Sequence, residues 1–234
     1  MSKIILHQSQ VDAFTVCPLR YKFMADGVQQ SVTQKMERGS AIHRTLAWAF
    51  KRKIKNLSIS KNSMIQYYSK VFTGDADIWK GGLQMLSHFY NQMFERFIPL
   101  FPEKDFSVEL EHYDIIIEGT WDLITTDYSL CEWKTSSGKW TRQDFEDEIQ
   151  VPTYAFCFYS VFKRLPKRII GVVMRNAGVQ EFVLRAKKEE IKKSLTKFVN
   201  VAESIRKGSY PARPSYECKF CSYAYTCPEK YRER

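Results

Sequence analysis

Long apolar runs are missing from this chain of 234 residues. The nearest candidate, VPTYAFCFYSVF at 151–162, carries Thr, Ser and Tyr, and it is shorter than the roughly 20 apolar residues that a bilayer-spanning helix needs. The opening MSKIILHQSQ holds one Lys and a three-residue apolar run, too little for an export signal. No membrane partner is therefore expected, and a reducing, cytoplasmic interior is. There, the six cysteines have no role as structural disulfides and need another explanation. A phosphate-cradling G-x4-G-K-[ST] loop is absent, so the chain carries no ATPase motor and any helicase would be a separate protein. Internal repeats and low-complexity linkers are absent as well. Acidic residues are in deficit, 26 against 36 Lys and Arg, and the formal charge of +10 points to an acidic partner, of which nucleic acid is the commonest.

With 44% hydrophobic and 15% aromatic residues, the chain can build a core of its own. Helical spacing marks SQVDAFTV, with Ser9 as N-cap, and residues 36–54, where Ile42, Leu46, Ala49 and Phe50 share a face. Residues 61–99 also read as helical, broken at GDADIWKGG. From 106 the period changes to two. FSVELEHYDIIIEG, TWDLITT and SLCEWKT read as three strands, separated at Gly119 and at TDYS. RQDFEDEIQVPTYAFCFYSVFKR reads as one helix, with Pro152 near its first turn or kinking it. RIIGVVMR and QEFVLRA flank NAG as two further strands. Residues 187–207 form an amphipathic helix striped by Ile191, Leu195, Phe198, Ala202 and Ile205, and it stops at Gly208. The order predicts an α/β or α+β fold, one mixed central β-sheet flanked by helices. Residues 1–234 are expected to form a single domain, with 51–105 as a helical insertion.

Several side chains in this frame suit phosphodiester chemistry. Glu132 and Lys134 share a strand face. Asp122 lies ten residues before Glu132 and can meet it across the TDYS hairpin. Two carboxylates repel each other unless a divalent cation holds them, and a neighbouring lysine can bind a phosphate oxygen or stabilise charge on the reacting phosphorus. The competing reading is an exposed cross-strand ion pair. His43, in GSAIH, is a possible metal ligand or a packed histidine. Gln150 and Tyr154 stand one helical turn apart, able to contact one substrate or simply to lie on a helix surface. Glu109 and Glu111 lie upstream on the first strand; either could assist a metal site, and as ordinary strand residues they read as solvent-facing.

Cys218, Cys221 and Cys227 form C-x2-C-x5-C, followed by Pro228. Cys17, also followed by a proline, is the candidate fourth ligand. Four thiolates suit Zn²⁺ or a [4Fe–4S] cluster, and spacing alone favours zinc as the commoner site. In either case residues 209–234 would pack on the N-terminal helix through Cys17. Cys131 and Cys157 sit in apolar runs and read as buried core thiols.

Gly39-x3-His43, Gly119-x2-Asp122, Glu132-x-Lys134 and Gln150-x3-Tyr154 occur in the order found in RecB-type nucleases of the PD-(D/E)XK superfamily. From about residue 9 to 228, with a weaker match over 51–105, the chain resembles the iron–sulfur branch of that group, which includes the CRISPR-associated adaptation nucleases and the AddB nuclease domain. The resemblance implies a restriction-endonuclease-like core. It implies Mg²⁺ or Mn²⁺ held by His43, Asp122, Glu132 and the Trp133 backbone carbonyl. It implies Lys134 as catalytic lysine, with Gln150 and Tyr154 contacting DNA or shaping the site. It turns the preference at Cys17, Cys218, Cys221 and Cys227 from zinc to [4Fe–4S]. The implied activity is hydrolysis of DNA, by an exonuclease on single-stranded ends, within recombination and repair, phage DNA metabolism or CRISPR adaptation in a prokaryote or an infected cell. The alternatives are a non-catalytic nucleic-acid-binding module with a structural Zn or Fe–S site, and a zinc-stabilised RNA-binding protein in which aromatics beside Lys, as in ECKFCSYAYTC, stack bases.

Overall fold

The computed structural model describes residues 3–229. In chain order its elements are β1 (Ile4–His7), α1 (Gln8–Val16), α2 (Pro18–Ala25), α3 (Gln34–Ile54), α4 (Lys61–Val71), α5 (Ala76–Gln92), β2 (Pro99–Leu110), β3 (Ile115–Thr125), β4 (Leu130–Thr135), α6 (Arg142–Glu146), α7 (Gln150–Phe162), β5 (Ile169–Arg175), β6 (Gly178–Leu184) and α8 (Lys188–Arg206). The strands make one six-stranded mixed sheet in the order β1-β3-β4-β5-β6, with β2 also paired to β3. The β1–β3 and β4–β5 pairs are parallel, and β3–β4 and β5–β6 are antiparallel. This is the mixed α/β architecture that the alternation of periods predicts.

The described residues group into two compact units. One is drawn from 3–32, 107–119 and 188–229, the other from 33–106 and 120–187. In the first, α1 packs on α2 and α8, with Phe14 edge-on to Tyr21 at 5.6 Å. The fully buried residues of α8 are Ser194, Phe198, Val201 and Ala202; Ile191, Leu195 and Ile205 of the expected stripe are half-buried beside them, and the helix ends at Gly208 with φ +65°. In the second unit α3, α4 and α5 pack together. Their apolar faces meet one face of β4 and β5 in a single core that includes Phe50, Phe89, Phe97, Trp133 and Val172.

Local boundaries differ from the periodicity reading in four places. His7, not Ser9, caps α1, because Gln10 Oε1 accepts from the His7 N–H and completes a capping box. The first strand break falls at Asp114 rather than Gly119: Asp114 adopts φ +51°, a left-handed conformation open to Asp, and Gly119 lies inside β3. The expected break at GDADIWKGG is confined to its first residues, since Asp75 caps the N-terminus of α5 and ADIWKGG is helical. Residues 142–162 form two helices instead of one. Thr141 caps a short α6, and Pro152 stands in the first turn of α7, where no helical N–H is needed. The four-residue β1 has too few residues to show a period in the sequence.

Candidate active site

The β3–β4 hairpin pairs Leu123 with Cys131 and Ile124 with Leu130, and the same register carried one step further sets Asp122 opposite Glu132. Alternation along β4 divides its side chains between two faces. Trp133 and Cys131 enter the core, where the Trp133 ring lies 6.0 Å from Phe50 and 5.4 Å from Phe89. Glu132 and Lys134 take the other face. Gly39 allows α3 to approach the end of β4 closely, since a Cβ at that position would lie 2.9 Å from Thr135 Oγ1. One turn later α3 delivers His43, whose Nδ1 donates to Asp122 Oδ1 at 2.9 Å. The Trp133 N–H donates to Asp122 Oδ2 at 2.8 Å, which fixes the second carboxylate oxygen.

Lys134 is held from three sides. Its Nζ stands 3.3 Å from Glu132 Oε1 and 3.2 Å from Glu148 Oε2, and it donates to Gln150 Oε1. Burial disfavours the Lys134 ammonium, but the charges of Glu132 and Glu148 outweigh it and leave the pKa raised. Glu132 is only 5% exposed, and its Oε2 is buried without a partner. Burial and the neighbouring Asp122 charge push its carboxyl up to about 8, against the opposing pull of Lys134 and His43. Burial pulls His43 down, yet the charge and hydrogen bond of Asp122 carry it up to about 9. Gln150 also hydrogen-bonds Tyr154, which is buried, lies edge-on to Phe106 at 5.4 Å and has its phenol pushed up by burial.

The structure thus brings His43, Asp122, Glu132, Lys134, Gln150 and Tyr154 into one connected cluster. Burial of Tyr154 leaves it shaping the site through Gln150 rather than offering a free surface to a ligand. Glu148, in no motif of the sequence reading, belongs to the cluster through Lys134; the only signal for it was an acid two residues before Gln150. Glu109 pairs with Lys3 at 2.7 Å, and Glu111 is exposed in a 3-10 turn. As the side chains stand, no three His, Cys, Asp or Glu among the described residues form a metal-holding group.

In the other unit, Cys17, Cys218, Cys221 and Cys227 line one cavity. The Arg213 N–H donates to Cys17 Sγ and the Ser215 N–H to Cys218 Sγ, both at 3.4 Å. Burial, then the proximity of the other three sulfurs, raises the Cys227 thiol. Cys131 and Cys157 are fully buried, and burial raises both thiols. Among the described residues no helix is long and apolar enough to cross a membrane.

Comparison with solved structures finds the same fold in distant proteins. The Eubacterium rectale protein named "Putative exonuclease" superposes with a TM-score of 0.64 at 13% identity, over 98% of this chain and 91% of that one. SSO0001 superposes with a TM-score of 0.52 at 16% identity, over 99% of this chain and 90% of that one. The comparison with curated proteins found no match. A sequence profile described as the PD-(D/E)XK nuclease superfamily matches residues 6–228, and the chain belongs to that superfamily.

Proposed function

We propose that the protein is a metal-dependent deoxyribonuclease of the RecB type, an exonuclease acting on single-stranded DNA ends. The observation that carries this reading is the unpartnered Glu132 Oε2, buried beside Asp122 and His43, with the Lys134 ammonium on the same carboxylate. A buried carboxylate oxygen without a partner is costly, and a cation satisfies it. His43, Asp122 and Glu132, with the Trp133 carbonyl, would hold Mg²⁺ or Mn²⁺, and their N and O donors suit such an ion. When bound, the ion supplies Lewis-acid polarisation of a phosphoryl oxygen. Lys134 then places a fixed positive charge at the phosphate, and Glu148 and Gln150 keep its amine in place. Tyr154 orients Gln150. The name of the E. rectale structure favours an exonuclease, and the excess of Lys and Arg suits a DNA substrate.

The decisive assay incubates end-labelled linear and covalently closed circular DNA, single- and double-stranded, with Mg²⁺ or Mn²⁺ and with EDTA. Loss of label from linear single strands, sparing of circles and silence in EDTA are expected. Cutting of circles would make the enzyme an endonuclease, and no cleavage of any substrate would overturn the reading.

We assign Cys17, Cys218, Cys221 and Cys227 to a structural [4Fe–4S] cluster, as in the iron–sulfur branch, tying the segment 209–229 to the N-terminal helices within one domain; residues 230–234 of the expected tail lie outside the described residues. Support comes from four thiols lining one cavity and from backbone N–H groups aimed at two of the sulfurs. Protein purified anaerobically is expected to be brown, with broad absorbance near 400 nm. Cys221→Ser is expected to bleach it and lower its solubility, while Cys157→Ser, in a fully buried core position, keeps the colour. Colourless protein with one zinc per chain would return the site to zinc.

A further inference from the structure

The charged run on the second half of α3 is organised around aromatic rings. Arg44, Trp48, Lys51, Arg52 and Lys55 recur at helical spacing and line one groove of about 340 Å³, with Tyr67 of α4 as its other wall. Trp48 and Tyr67 stack at 4.4 Å between centroids and 11° between planes. The Arg52 guanidinium lies 5.5 Å from the Trp48 centroid, and its Nε is buried without a partner. Arg44 donates to the Val71 carbonyl at 3.1 Å, anchoring its guanidinium to the end of α4. Among the described residues, the acid lining this groove is Glu103, paired with Lys51 at 2.7 Å. Cations in the last turn of a helix favour its dipole, which accounts for Lys51, Arg52 and Lys55. It accounts for neither Arg44, nearly three turns earlier, nor the stacked rings between them.

We infer that this groove guides a single-stranded nucleic acid along α3 toward His43, which immediately precedes Arg44 in the chain. The occupant follows from charge and from π-faces. Four cations against one carboxylate attract a polyanion. A short aromatic ladder can be extended by an unpaired base, whereas a duplex keeps its base faces stacked internally. From residue 44 to 55 the helix rises ~16 Å, room for more than one phosphate. Tyr67 and Val71 belong to α4, so the inference gives residues 51–105 a task in holding substrate. It rests on the nuclease reading for the identity of its ligand.

The test measures binding in EDTA, so that it does not depend on cleavage. Anisotropy of labelled single strands of increasing length, and of a labelled duplex, is recorded across a salt series for three variants: Lys51→Gln with Lys55→Gln, Tyr67→Ala, and, as a charge-matched control, Lys192→Gln with Lys197→Gln on the exposed face of α8. The groove pair is expected to weaken binding ~10-fold at low salt and to flatten the salt slope by about 1.4, at roughly 0.7 per lost phosphate contact. Tyr67→Ala is expected to cost ~10-fold, in the range of one lost base stack. The groove pair, both exposed lysines, keeps the proposal testable if Tyr67→Ala melts early. The control is expected to stay near wild type. Equal losses from both lysine pairs would reduce the effect to net charge and overturn the groove, as would unchanged affinity in the groove pair. A loss confined to duplex DNA would overturn the single-strand assignment. A protein that binds as described and cuts nothing would fail the nuclease reading alone.

Discussion

Lys134→Ala is expected to lower the rate of DNA cleavage by a factor on the order of a hundred or more, with Mn²⁺ affinity and most DNA affinity retained. The ligands assigned to the ion are His43, Asp122 and Glu132, none of which requires the lysine, and non-specific phosphate attraction comes from the other basic residues. The ammonium is held for one position by Glu132 at 3.3 Å, Glu148 at 3.2 Å and Gln150, and most of its surface is buried. A charge fixed in that way at a reacting phosphate needs no reorganisation when charge develops there. If Lys134 and Glu132 were only a structural ion pair, the same change would cost roughly 3–5 kcal/mol of stability, because it leaves a buried carboxylate unpaired, and the activity of the folded protein would be unchanged. Nuclease rate, Mn²⁺ affinity by titration and melting temperature, all on the one variant, separate the two readings. Full activity in Lys134→Ala would remove the catalytic assignment. Glu148→Gln adds a graded comparison, because Glu132 and Gln150 still hold the amine: a fall in kcat larger than any rise in KM is expected.

The acid-x-Lys pair was legible because a strand puts alternate residues on one face, and Trp133 between them is apolar enough to claim the core. Asp122 was legible from the hairpin, since TDYS is a turn and its length sets the register opposite Glu132. His43 was legible only as a histidine one turn after a glycine. That Gly39 serves close packing of α3 on β4 needs the neighbour Thr135, 96 positions further on in the sequence. Glu148 was not legible, because nothing local marks an acid whose partner is a lysine fourteen residues earlier on a different element. Strand and helix boundaries failed for a related reason. Gly119 reads as a turn residue, yet β3 continues through it, and the chain turns at Asp114 instead. The groove on α3 shows the same limit. The lysines are visible as a charge run, but the wall completed by Tyr67 requires α4 to fold back on α3.

Glu132→Gln is expected to stabilise the metal-free protein while abolishing activity, and the sign of its stability effect is expected to reverse when Mg²⁺ or Mn²⁺ is added. In EDTA the Glu132 carboxyl is buried, has one oxygen without a partner and faces Asp122. Its pKa is raised from 4.5 to about 8, so the ionised form is disfavoured in the fold. A raised carboxyl pKa costs stability progressively as pH climbs from about 4.5 toward 8. His43, raised from 6.5 to about 9 chiefly by Asp122 against the pull of burial, contributes stability that is full below 6.5 and lost as pH rises through 9. Both slopes have the same sign, so the metal-free wild type is expected to melt at steadily lower temperature from pH 5 to 9. Glutamine keeps the shape and removes the charge. In EDTA near pH 8 it is expected to gain about 1–3 kcal/mol, the cost of one unsatisfied buried group, and to show the shallower pH dependence left by His43 alone. A bound divalent ion stabilises only a protein that can hold it, by roughly 2.7 kcal/mol at a hundred times its dissociation constant. Wild type would then overtake Glu132→Gln in saturating Mn²⁺. The measurement is a melting series of both proteins across pH, with EDTA and with Mn²⁺. If Glu132→Gln is less stable than wild type in EDTA at pH 8, the buried carboxylate is satisfied by the fold itself, and it is not waiting for an ion.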